Sequence, residues 1–313
     1  MQKKICVLAS GGDCPGMNTV VEVINMIAIH NGIEVWGARN GFNGLLDGDV
    51  YKLGYKDTQN ISHQSGCILG SNRTPRMTQG VGFRSVIENI KKHDFTAVIV
   101  LGGNGSLIGS GRLKNAGVNV LYIPSTIDND VPGYKNALGF SSACEESVRL
   151  IDNIKLTMMT SERDHIVQLM GRKCPELALK IGTATLADII DMEGARVTPS
   201  QVAKVFIQNR KAGKKSNMLV MQERVDKNAV CEFTENAKFL GDVSKACESD
   251  NTRMSVLGYL QRGAGVSCHD RFLAVQYGKA AVDAVMNNKF GVGVYMTDEV
   301  LHYNDIELAP IPK

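Results

Sequence analysis

Three short polar stretches carry the residues that could do chemistry. Pro124-Ser125-Thr126-Ile127-Asp128-Asn129-Asp130 sets a hydroxyl and two carboxylates close together. A carboxylate so placed can take a proton from a reacting hydroxyl while a second serves a metal ion or an arginine. Asp128 and Asp130 are two apart, so in an extended segment they would share one face. The other two stretches are Gly-rich, Gly11-Gly12-Asp13-Cys14-Pro15-Gly16-Met17-Asn18 and Gly102-Gly103-Asn104-Gly105-Ser106. Backbone amides of such loops can approach an anion closely, and a helix that follows adds its positive amino end. Taken singly, such stretches are more often a plain polar turn or a tight strand-to-helix turn.

Each stretch follows an apolar run. Residues 4–10, 95–101 and 118–123 read as buried strands, and open α/β sheets bind ligands at the carboxyl ends of such strands. Helical spacing of apolar residues predicts helices over 18–29, 81–92 and 107–116, with a strand at 32–37, a loop at 41–45 and an edge hairpin at 50–53. Further on, helices are expected at 141–160, 175–184, 201–210 and 270–286, and strands at 165–170, 186–191, 217–223, 253–259 and, last, 292–296. Residues 225–250 give no clear pattern. Strands, loops and helices in alternation predict βαβ units. The fold class is α/β, with two doubly wound, mostly parallel domains and an active site in the cleft between them. No Gly-x-Gly-x-x-Gly opens the first helix, and no Gly-Lys-Ser/Thr occurs, so neither the Rossmann fingerprint nor a Walker loop is present.

Composition narrows the classes. The chain has 313 residues, enough for two domains, and 43% hydrophobic content, enough for a sizeable core. The net charge of +3 and the lack of a long basic run exclude a nucleic-acid binder. The basic stretch 210–215 reads as a solvated helix end. Eight cysteines without a Cys-x-x-Cys pair, and no signal peptide, predict reduced thiols and a cytoplasmic protein. No apolar run is long enough to span a bilayer, and the six histidines show no metal-ligand spacing.

The three stretches in this order, with Gly70-Ser71-Asn72-Arg73, Met170-Gly171-Arg172 and Gly258-Tyr259-Leu260-Gln261-Arg262-Gly263, resemble the phosphofructokinase family over nearly the whole chain. The resemblance implies transfer of the γ-phosphoryl of ATP to the 1-hydroxyl of fructose 6-phosphate, in glycolysis, with Mg2+. It implies Asp128 as the base, with Thr126 hydrogen-bonded to substrate and Arg172 stabilising the transferring group. Gly11, Arg73, Thr74, Gly103, Asn104, Gly105 and Ser106 would hold the nucleotide, and Asn104 and Asp130 the metal. Arg163, Met170, Gly171, Glu223, Arg253, Tyr259 and Arg262 would join them around the sugar phosphate. In the family the arginines matching Arg163 and Arg253 come from a neighbouring subunit, which implies a homotetramer. The implied domains are 1–138 with about 261–303 for the nucleotide, and 139–260 with about 304–313 for the sugar phosphate.

Four positions depart from the family pattern. Asn104 stands where Asp is usual, Tyr259 where His is usual, and Glu22 and Met26 where bacterial members carry arginines for nucleotide effectors. The phosphoryl donor is ATP or pyrophosphate. Gly105, which leaves room for the α-phosphate of ATP, and Ser125, where a lysine marks the pyrophosphate enzymes, favour ATP. Asn104 and Tyr259 also keep open a non-catalytic sugar-phosphate-binding subunit.

Overall fold

A computed structural model describes residues 2–172, 174–224 and 232–312. Along the chain the elements run β1 (Lys4–Ser10), α1 (Met17–His30), β2 (Glu34–Ala38), α2 (Phe42–Asp47), β3 (Val50–Lys52), α3 (Tyr55–Thr58) and β4 (Ser71–Asn72). Then come α4 (Gly80–Lys92), β5 (Ala97–Gly102), α5 (Asn104–Asn115), β6 (Val120–Pro124), α6 (Phe140–Ser161), β7 (Asp164–Leu169) and α7 (Glu176–Ala184). The rest are β8 (Ile189–Asp191), α8 (Pro199–Lys211), β9 (Met218–Gln222), α9 (Glu232–Ala246), β10 (Thr252–Val256), α10 (Cys268–Met286), β11 (Val292–Thr297) and β12 (Val300–Asp305). The expected α/β alternation is present. The chain divides into two compact units, residues 1–142 with 262–313, and residues 143–261.

The larger unit is built on one sheet in the order β12-β11-β6-β5-β1-β2-β3, with β4 beside the end of β1. Its central pairs are parallel; β2 with β3 and β11 with β12 are antiparallel. The continuous apolar runs of β1, β5 and β6 fit strands covered on both faces, and all of β5 and β6 is buried. Leu8, Val98, Val100 and Tyr122 centre the core on one face of this sheet, each such side chain contributing about 1.5–3 kcal/mol on burial. The smaller unit has a fully parallel sheet, β10-β7-β9-β8, with Ile166, Leu219, Met221, Phe206 and Val243 in its core.

Three expectations are corrected. Residues 42–47 are helical, because Phe42, Leu45 and Leu46 make one buried face that a loop reading of the glycines overlooked. Strand 292–296 is not the last: β12 pairs with β11 across a turn at Asp298-Glu299, both left-handed. Residues 304–312 therefore lie with the larger unit, not with the sugar-phosphate domain expected for 304–313; Ile306 is buried and Lys114 Nζ donates to its carbonyl at 2.8 Å. The basic stretch 210–215 is a solvated helix end as expected, since α8 stops at Lys211 and residues 211–215 are exposed. Arg210 pairs with buried Asp164, Lys214 with Asp188 and Lys215 with Glu162. Of the stretch 225–250, α9 begins at Glu232 and 225–231 lie outside the described residues. Among the described residues Cys6, Cys14, Cys67, Cys247 and Cys268 are free thiols, and no helix is long and apolar enough to cross a membrane.

Candidate active site

In the larger unit, β5 and β6 run in register up to Gly102 opposite Pro124. Their carboxyl ends therefore deliver both polar stretches to one place. Tyr122, wholly buried, donates its hydroxyl to Gly102 O at 2.6 Å, and burial pushes that phenol well up, so it stays a neutral donor. Gly102 has to be glycine: a Cβ there would run into Ser10 O and the Ser106 hydroxyl. After it, Gly103 starts α5 in an extended conformation with no side-chain cap. An uncapped amino end keeps orphan amides and a positive dipole for an anion. Ser106 is buried and donates its hydroxyl to Ser10 O at 3.0 Å, so its side chain closes the turn.

The 125–130 stretch is a turn, so the shared face that an extended segment would give Asp128 and Asp130 does not apply. Asp128 N donates to Thr126 Oγ1 at 3.2 Å, Asn129 takes a left-handed conformation at φ 53°, and its Oδ1 accepts Ala137 N at 2.8 Å. The turn separates the carboxylates. Asp128 is buried, at 9% exposure, while Asp130 is exposed. Asn104 Nδ2 donates to Asp130 Oδ2 at 2.8 Å, and Asn104 Oδ1 is buried without a hydrogen-bond partner among the described residues. Magnesium takes hard oxygen donors, keeps several waters and relies on one or two carboxylates plus phosphates. An orphaned amide oxygen beside a carboxylate fits that demand once phosphate oxygens complete the shell.

The β1 turn is strapped on several sides. Gly11 N donates to Asn72 O at 3.1 Å, Ser71 Oγ to Gly11 O at 3.0 Å, and Arg262 Nη1 to Asp13 O at 2.8 Å. Cys14 Sγ donates to Leu138 O at 3.2 Å; burial first, then Asp270, push its thiol well up against the opposing Arg262, so it is a structural thiol. Pairing of β4 with the end of β1 carries Arg73, exposed, to the same edge. Thr74 Oγ1 is buried and has no hydrogen-bond partner among the described residues. The expected nucleotide residues thus gather at the ends of β1, β4 and β5.

In the smaller unit a second group forms around the end of β7. Met170 N donates to Gln261 Oε1 at 2.8 Å, Gln222 Nε2 donates to Gly171 O, Arg172 O and Cys174 O, and Arg172 N donates to Glu223 Oε1 at 2.8 Å. The exposed Arg172 is left-handed, at φ 46°. Gln222 and Gln261, both fully buried, shape this turn and are absent from the sequence-based set; buried amides at strand ends are the signal that could have found them. Arg163, exposed, sits between α6 and β7. Arg253, at an edge strand, folds back so that Nη1 donates to Asp250 O at 2.7 Å. Tyr259, 80% exposed, lies in a short 3-10 turn.

The family model described as Phosphofructokinase matches residues 4–285. The chain belongs to the phosphofructokinase family. The ATP-dependent 6-phosphofructokinase of Lactobacillus delbrueckii subsp. bulgaricus is 36% identical over 304 residues, 97% of this chain and 92% of that protein. That of Bacillus pumilus is 34% identical over 308 residues, 98% of this chain and 93% of that protein. The phosphofructokinase structure from Saccharomyces cerevisiae matches with a TM-score of 0.84 at 28% identity, over 97% of this chain; this chain spans 45% of that one. A pyrophosphate-dependent phosphofructokinase structure from Marinobacter aquaeolei shares the fold, with a TM-score of 0.84 at 21% identity, over 99% of this chain and 83% of that one.

Proposed function

We propose that this phosphofructokinase-family chain is an ATP-dependent 6-phosphofructokinase. It would move the γ-phosphoryl of ATP to the 1-hydroxyl of fructose 6-phosphate, giving fructose 1,6-bisphosphate and ADP. The observation that carries this reading is the register of β5 and β6, which sets the uncapped amino end of α5 beside the Thr126–Asp130 turn. Charge stabilisation for a phosphoryl group and a buried carboxylate then sit together, as in-line phosphoryl transfer needs.

In this reading Asp128 takes the proton of the sugar 1-hydroxyl. The freed oxygen bonds to the γ-phosphorus as the bond to the β–γ bridging oxygen breaks, and ADP leaves. Thr126, whose hydroxyl already fixes the Asp128 backbone, orients the acceptor. Gly11, Gly103, Gly105, Ser106, Arg73 and the orphaned Thr74 hydroxyl would hold the nucleotide. Mg2+ would be held by Asn104 Oδ1 and Asp130 with phosphate oxygens, and when bound it neutralises their charge. Arg172 would offer its guanidinium to the moving group, with Glu223 gripping sugar hydroxyls while it fixes the Arg172 backbone. Met170, Gly171, Arg163, Arg253, Tyr259 and Arg262 would complete the sugar-phosphate contacts. Sharing of Arg163 and Arg253 between subunits of a homotetramer, and a cytoplasmic setting, belong to the same reading.

ATP rather than pyrophosphate is favoured by Gly105. It is exposed, and nothing lies within 4 Å of a Cβ built there, which is open room beside the phosphate chain. A coupled assay with fructose 6-phosphate and magnesium-ATP tests the function on the parent and on Asp128→Asn. We expect turnover by the parent and a kcat lower by about 10²–10⁴ in the variant, with little change in KM. A parent without turnover would return the non-catalytic binding-subunit reading; a variant with near-parent kcat would remove Asp128 from the role.

A further inference from the structure

The glycines of the β1 turn read from sequence as room for an anion. At Gly12 that room is already filled by a protein cation. A Cβ built on Gly12 would stand 2.5 Å from Arg262 Nη1, 2.9 Å from Cζ and 3.2 Å from Nη2, so the guanidinium lies against the Gly12 backbone. The same Nη1 donates to Asp13 O at 2.8 Å. The turn beneath is held from its other side by Asn72 O and Ser71 Oγ on Gly11. The chain after Arg262 is held as well, with Ala264 buried and its carbonyl accepting the Ser65 hydroxyl. Gly12 has no positive φ. Its backbone would tolerate an L side chain, and the arginine is what requires glycine there.

We propose that Gly12 is a positioning residue for Arg262 and so determines affinity for the sugar phosphate, not for the nucleotide. This rests on the reading above, in which Arg262 grips the 6-phosphate. Among the described residues the Arg262 guanidinium makes only the Asp13 bond, and its remaining N–H groups form a fork that suits a phosphate. A long cationic side chain loses rotamer freedom when it binds. A seat that fixes it beforehand removes part of that cost. Gly12 supplies the flat side of the seat and Asp13 O the anchor.

A double-mutant cycle reads this directly. Fructose 6-phosphate affinity is measured by calorimetry without nucleotide, and KM for both substrates by the coupled assay, on the parent, Gly12→Ala, Arg262→Gln and the pair. Arg262→Gln should weaken fructose 6-phosphate about 10- to 100-fold. Gly12→Ala should weaken it several-fold and leave KM for ATP within about twofold. In the Arg262→Gln background the alanine should add less than about twofold, because the group it displaces is gone. A full-sized alanine effect in both backgrounds, or an effect on ATP alone, would overturn the proposal. Should Gly12→Ala not fold, Arg262→Lys decides. It keeps the charge without the planar fork, and is expected to bind fructose 6-phosphate as weakly as Arg262→Gln; parent-like affinity contradicts the seat. A parent that binds fructose 6-phosphate without turning it over would defeat the proposed function, while the binding cycle still judges Gly12. Unchanged affinity in Arg262→Gln defeats the proposal alone.

Discussion

Asn104 stands where the family resemblance leads to an Asp, at the proposed metal site. Its amide nitrogen holds Asp130, so the carboxylate already has one donor, and the amide brings an oxygen but no negative charge. Metal held here would depend mainly on the nucleotide's own phosphates. Asn104→Asp would set two carboxylates side by side and should strengthen Mn2+ binding to the nucleotide-free protein about tenfold or more. Mn2+ titration of parent and variant, followed by electron paramagnetic resonance, checks this. Superimposable curves would show that position 104 meets the metal only through water. The Asp128 turn was legible as a polar group at a strand end from residue types alone. Its shape was not, because the left-handed Asn129 and its bond to Ala137 N depend on a contact that spacing does not reveal.

At the scale of elements, α1 shows how one helix face can decide regulation. Asn18, Thr19, Glu22 and Asn25 form a polar stripe that hydrogen-bonds the segment 54–68. Glu22 accepts Asn60 N at 2.8 Å and Ser62 N at 2.7 Å, so a fixed carboxylate stands where bacterial relatives are expected to carry a cation for nucleotide effectors. We predict that ADP changes the initial rate by less than about twofold at low fructose 6-phosphate, since a nucleotide phosphate would face like charge. Strong activation in that titration would contradict the assignment.

The pair β7–β10 makes a second prediction. His165, whose Nε2 meets Ser255 Oγ at 2.9 Å, is held below its ordinary value by burial and then by the Arg253 guanidinium. The folded protein therefore binds that proton less tightly than the unfolded chain. Its contribution is intact above the ordinary histidine value of about 6.5, and stability falls as pH drops from there toward the lower folded value. Melting temperature should fall between about pH 7.5 and 5.5, and fall less in His165→Gln; equal losses would absolve His165. Strands such as β5 and β9 were legible because burial on both faces leaves unbroken apolar runs. Short α2 and the β11–β12 hairpin were not, since three buried side chains and two left-handed residues leave little periodic trace.

Across the whole molecule, the alternation of strand and helix was readable, and so was the grouping of glycine-rich turns at strand ends. The return of residues 262–303 to the first unit came from the family resemblance alone, because pairing of β11 with β6 joins segments far apart in sequence, and that of 304–312 was missed. The buried Gln222 and Gln261 that shape the Arg172 turn were also hidden, since a glutamine is ordinarily a surface residue. The central claim is that the chain transfers phosphoryl from ATP. The most direct measurement is the rate of fructose 1,6-bisphosphate formation by one preparation, with magnesium and fructose 6-phosphate, given ATP or pyrophosphate separately. The account predicts turnover with ATP and a kcat/KM at least about 10³-fold lower with pyrophosphate. Turnover with pyrophosphate alone, or with neither donor, would contradict it.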